Sequence, residues 1–173
     1  MLIRDIVFLL FIVFSVFVLA KGVYQEPGDF IQEVYASNPP EPSKLWINKD
    51  LNEEIIKILN HDLGVLRLRY WIKDDRSAWI LEEIGKERPI TTGIVVNNGQ
   101  IELVKVLVFR EIRGEEVRYP FFTDQFDGTA LVGDYQLDKS IDGISGATLS
   151  VNAVTKLVRL ALLLHEYVTQ REY

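Results

Sequence analysis

The chain has 173 residues, 48% hydrophobic and 25% charged, an ordinary globular balance with enough length for one domain and a real core. Its net charge of −6 speaks against a dedicated nucleic-acid binder, which carries a basic stripe. The absence of cysteine removes disulfides, thiolate zinc sites, iron–sulfur clusters and thiol catalysis together.

Residues 1–22 read as a signal peptide or a membrane anchor. Ile6 to Ala20 is an uncharged, almost wholly apolar run of 15 residues between Arg4 and Lys21. A full span takes about 20 apolar residues, so the run is short for an anchor and suits the apolar region of a secretory signal. A buried core helix rich in Phe is the third reading. Asp5 beside Arg4 weakens the positive-inside signal. Both export readings put the rest of the chain outside the cytoplasm, in the periplasm, and the anchor reading holds it at the inner membrane.

Residues 23–44 contain "QEPGDF" and "SNPPEPSK" and read as a linker or surface loop. The remainder, 45–173, reads as one α+β domain. "NKDLNEEIIKILNHDLG" predicts a short helix capped by Asn48 or Asp50, with Leu51, Ile55, Ile56, Ile58 and Leu59 apolar and Gly64 at its end. The middle predicts an antiparallel sheet: Val65–Ile72, a turn at "KDDRS", then Ala78–Gly85. A hairpin follows, "IVV" and a long strand to Glu111 around Asn97-Asn98-Gly99, residues that supply the positive φ of a tight turn. Both faces of the long strand are mostly apolar, which predicts a central strand covered on two sides. "IRGEEVRY" turns at Gly114, and "PFFTDQFDGTAL" predicts a short helix and a loop. Leu149–Val168 is the strongest helix, with Val151, Val154, Val158, Ala161 and His165 on one stripe. The fold class is therefore α+β, an antiparallel sheet closed by a long C-terminal helix.

The entry to that helix carries the chemistry. In "DGISGATLS" the tetrad Ser145, Gly146, Ala147 and Thr148 sits where helical N–H groups lack partners and the peptide dipoles sum to positive charge. A phosphate is stabilised there. Gly146 and Ala147 allow close approach, and Thr148 offers a hydroxyl. The plain alternative makes Ser145 an N-cap and Gly146 a turn residue.

At these residues the chain resembles the FMN-binding domain family. "DGISGATLS" looks like that family's flavinylation motif, an Asp, two residues, then Ser/Thr-Gly-Ala-Thr. Such domains occur in the flavin-carrying subunits of the sodium-pumping NADH:quinone reductase and Rnf complexes and in small exported proteins. The resemblance runs from Thr92 to Leu164, taking in the hairpin and "FFTDQFDG". It implies FMN joined covalently to Thr148 through a phosphoester, made by a flavin transferase from FAD with magnesium. It also implies that Asp142, Ser145, Gly146 and Ala147 form the phosphate environment, with Glu111 and Gly114 near the flavin. Where the pump subunits have Glu-Thr-Pro-Gly, this chain has Glu111-Ile112-Arg113-Gly114, which points to the small stand-alone branch. The implied role is an electron carrier between a membrane or periplasmic donor and acceptor, rather than an enzyme that converts a substrate. Trp46, Trp71, Trp79, Tyr70, Tyr119, Phe121 and Phe122 are candidates to stack on the ring, though each suits core packing.

Three other readings compete. Gly143-Ile144-Ser145-Gly146-Ala147 nearly matches a nucleophile elbow, which would make Ser145 a hydrolase nucleophile with His61 or His165 as its base; His165 reads more simply as a helix-end residue. Asp134, Asp138 and Asp142 fall four apart, a spacing open to metal binding or simple solvation. A cofactor-free exported binding or assembly module is the third.

Overall fold

The computed structural model describes residues 22–170; the signal or anchor segment therefore lies almost wholly outside the described residues. The order of elements is α1 (Pro27–Val34), β1 (Ser43–Trp46), α2 (Lys49–Leu59), β2 (Arg67–Lys73), β3 (Arg76–Ile84), β4 (Pro89–Asn97), β5 (Gln100–Phe109), α3 (Pro120–Thr123), β6 (Leu131–Val132), β7 (Gln136–Leu137) and α4 (Thr148–Thr169). Strands β1 to β5 form one antiparallel sheet in sequence order, and β6 pairs with β7. The expected α+β architecture with its closing helix is present.

Helix α4 lies across one face of the sheet. Its predicted stripe, Val151, Val154, Val158, Ala161 and His165, is buried, as are Leu157, Leu160 and Leu164. The apolar ones join Trp79, Ile90 and Ile94 of the sheet, Ile55 and Leu59 of α2, and Phe122 and Phe126 in the main core. His165 lies near the end of α4, as expected, on its buried stripe. It is 2% exposed, with Nδ1 at 2.8 Å from Ser77 Oγ.

The stretch read as a linker is folded instead. Pro27 stands in the first turn of α1, where its missing N–H has no cost. Phe30 and Ile31 are buried against Ala78, Val95 and Leu107 on the opposite face of the sheet. The fit is close: a Cβ on Gly93 would meet the Phe30 ring at 2.6 Å. The strand between the two layers is β4, buried at every position from Ile90 to Val96. The strand expected to be central, β5, is the last of the five. Its outer edge is covered in part by bridges from Val23 to Val108 and from Ala130 to Gln100, so its apolar residues are buried without a sixth strand.

Turn chemistry agrees with sequence at the β4–β5 hairpin, where Asn98 and Gly99 have φ of 50° and 74°. Helix α2 is capped by Asn48, whose side chain accepts from Leu51 N–H. It ends at Asn60, in the left-handed region at φ 65°, four residues before Gly64.

Candidate functional site

Sheet topology brings three separate segments to the start of α4. The β3–β4 turn supplies Lys86 and Glu87, the chain after β5 supplies Glu111, Ile112 and Arg113, and the helix entry supplies Gly146 to Ser150. Together they line an open cleft of about 470 Å³, within the range of small-molecule sites.

The helix entry is built by a turn. Ala147 N–H donates to Ile144 C=O at 3.0 Å. Gly146, third in that turn, has φ 80°, the positive value a type II turn requires there. A Cβ on Gly146 would meet nothing within 4 Å, so glycine serves the turn and leaves its surroundings open. The N-cap is Ala147, which has no side-chain acceptor. Ser145 is exposed in the turn and does not cap the helix. The first α4 bond runs from Val151 N–H to Ala147 C=O, which leaves the amides of Thr148, Leu149 and Ser150 without helical acceptors. A 22-residue helix thus presents uncapped donors to a cleft, and Thr148, its first residue, is exposed.

Glu111 braces the cleft wall. Its Oε1 accepts from the backbone N–H of Lys86, from Glu87 at 2.6 Å and from Arg88 at 2.9 Å. Burial raises the pKa of this carboxyl, but the three amides and the Arg88 charge outweigh it and hold it below the usual glutamate range. Gly114 sits behind the helix start, buried with φ 88°. A Cβ there would lie 2.5 Å from Ser150 Oγ and 3.4 Å from Ala147 Cβ. Only glycine lets this loop approach α4 so closely in that conformation.

A family model described as the FMN-binding domain matches residues 85–163, a span that holds every residue lining the cleft. Over that span the chain is similar to the FMN-binding domain family. No curated protein and no solved structure matches the chain.

The residues present suit a phosphate-bearing flavin. Uncapped amides at Thr148, Leu149 and Ser150 and the cations Lys86 and Arg113 favour the phosphate. Ile112, 86% exposed, and Leu149, 49% exposed, offer apolar surface beside it. Of the site residues expected from the sequence, Thr148, Gly146, Ala147 and Glu111 line the cleft, while Asp142, Ser145 and Gly114 do not. Asp142 is exposed, and its backbone N–H donates to Gln125 Oε1 at 2.7 Å, which ties the "TDQF" segment to the motif loop. Lys86, Ile112, Arg113 and Leu149 are added by the structure. Lys86 reaches the cleft only through the β3–β4 turn, and no local sequence signal marks it.

None of the seven aromatic candidates lines the cleft. Trp79 and Phe122 are fully buried, and Tyr70 stacks on Trp79 at 4.9 Å. The hydrolase arrangement does not form around Ser145. His165 is bonded to Ser77, and His61 is bonded to Glu83 at 2.9 Å. Asp134, Asp138 and Asp142 do not converge, and no metal-ligating cluster of three or more His or acidic side chains occurs among the described residues.

Proposed function

We propose that the protein is an exported electron-transfer flavoprotein that carries FMN through a phosphoester on Thr148. The observation that supports this most is an exposed Thr148 hydroxyl at the first position of an uncapped helix, inside a segment similar to the FMN-binding domain family. The helix amides and Lys86 would hold the phosphate, Arg113 would add charge, and Ile112 and Leu149 would offer apolar surface to the flavin. Bound flavin supplies one- and two-electron transfer, which allows it to connect unlike donors and acceptors. Maturation esterifies Thr148 Oγ: its proton leaves, an O–P bond to the FMN phosphate forms, and the anhydride of FAD breaks to release AMP. A flavin transferase with magnesium catalyses this exchange. Covalent attachment suits the periplasm, where diffused cofactor is not easily replaced. Donor and acceptor are redox groups at the membrane or in the periplasm.

The test is co-expression with a flavin transferase and export, followed by denaturing electrophoresis. A fluorescent band that persists in Thr148→Ser and vanishes in Thr148→Val supports the carrier. A dark wild-type band, from a strain whose transferase labels a known acceptor, refutes it and leaves a cofactor-free binding module.

A further inference from the structure

The chain from 138 to 147, between β7 and α4, forms neither helix nor strand, and it carries the motif to its helix. Its first end is tied down. Asp138 N–H donates to Ala130 C=O at 3.1 Å, Ala130 N–H to Asp138 Oδ1 at 3.0 Å, and Lys139 Nζ to Asp127 C=O at 2.7 Å. Its last end is the Ile144–Ala147 turn. In between, Ser140, Ile141 and Gly143 make no hydrogen bond among the described residues. The group that is held is the Asp142 N–H, which donates to Gln125 Oε1 at 2.7 Å. Ile141 and Ile144, partly buried, also pack on the main core. Apolar contact is non-directional, so it does not fix how the backbone is turned.

The surroundings of Gln125 suit it to this contact. It stands between Phe122 and Phe126, both fully buried and packed edge to face at 5.4 Å, so the core sets its backbone. Its Nε2 donates to Phe121 C=O at 3.3 Å. With that donor engaged, Oε1 is the atom turned to the loop; a flipped amide would set N–H against N–H and oxygen against oxygen. The Asp142 carboxylate stays exposed and has no partner among the described residues. Gln125 therefore holds the loop by its backbone and leaves the motif side chain free.

We infer that Gln125 is a positioning residue for the modification of Thr148: its hold on the Asp142 amide keeps the loop in the path that presents Ser145 to Thr148 to a flavin transferase. This deepens the reading in which Thr148 is esterified and rests on it. Gln125 does not line the cleft and takes no part in the bond exchange. Without its hold the loop samples several paths, and the transferase meets the productive one in a fraction of the molecules. Apparent affinity falls by that fraction, while turnover of the bound domain is unchanged.

The test compares the full chain in mild detergent as wild type, as Gln125→Met, which fills similar space without an acceptor, and as Gln125→Glu, which keeps an oxygen there. Each is labelled with a flavin transferase, FAD and magnesium, and amide exchange is read at Asp142 and in β4. In Gln125→Met the KM for the protein rises roughly 2- to 10-fold at unchanged kcat, the population shift set by one ordinary hydrogen bond. Asp142 exchanges faster by a similar factor, and β4 exchanges as in wild type, which a general loss of stability would not allow. Gln125→Glu falls between the two. An unchanged KM, or faster exchange shared equally by β4, overturns the positioning role. A wild-type chain that takes no flavin overturns the esterification on which that role depends; the two failures are told apart because Asp142 exchange still reports whether Gln125 holds the loop.

Discussion

Gly114→Ala tests the packing that sets the cleft. Gly114 holds φ 88°, and a non-glycine residue in that region costs of order 1–3 kcal/mol. The added methyl would also stand 2.5 Å from Ser150 Oγ and 3.1 Å from Ser150 Cβ; overpacking of this kind typically costs about 1–3 kcal/mol more. The sum, roughly 2–6 kcal/mol, is a large fraction of the roughly 5–15 kcal/mol that holds a domain together. At about 2–4 °C per kcal/mol for a domain of this size, melting falls by about 4–24 °C. Thermal unfolding by circular dichroism reads the loss. Ser150→Ala in the same chain removes the nearest clash but not the backbone strain, so the double variant recovers part of the loss. A Gly114→Ala protein within about 0.5 kcal/mol of wild type, the range of uninvolved surface changes, would refute the claim that the loop must approach α4 this closely.

Further outcomes follow from the polar groups. Glu83, its side chain 5% exposed, binds Lys156 Nζ at 3.0 Å; Glu83→Ala leaves that ammonium the Leu59 carbonyl but no counter-charge and costs about 3 kcal/mol in urea unfolding, the low end for a buried pair because Lys156 is partly solvated. Glu83→Leu with Lys156→Met recovers most of that loss. Glu111, held below the usual glutamate range in the folded state, contributes stability that is complete above about pH 4.3 and is lost as pH falls through its lowered folded value. Urea midpoints across the acid range therefore decline less steeply in Glu111→Gln. His165 is shifted down by burial, against opposing Asp75 and Glu166 charges, so the unfolded chain takes up protons first as pH falls. Its share of stability is lost below about pH 6.5, and His165→Asn flattens that limb of the same curve.

Much of this was legible in the residues because their patterns are local. The stripe from Val151 to His165 gives α4, Asn97-Asn98-Gly99 gives the β4–β5 turn, and Ser145 to Thr148 marks the helix entry. What local pattern does not carry is partnership across the sheet. Pro27 and Gly28 read as a loop because the hole that receives Phe30 is made by Gly93, more than sixty residues later. β5 reads as central because both its faces are apolar; the backbone of Val23 and Ala130, which partly covers its edge, has no side-chain signature. Resemblance puts Glu111 near the site, yet its role as a brace depends on the β3–β4 turn amides. The same register brings Lys86 to the cleft. The alternative that makes Ser145 a cap fails because the turn at Gly146 moves the helix start to Ala147 and leaves the first amides open.

The most direct measurement is peptide mass spectrometry of the full chain purified from cells that hold a flavin transferase. The account predicts that the peptide containing Thr148 carries one FMN through a phosphoester, and that fragmentation maps the added mass to that residue. An unmodified Thr148 peptide, or flavin mapped to another residue, would contradict it.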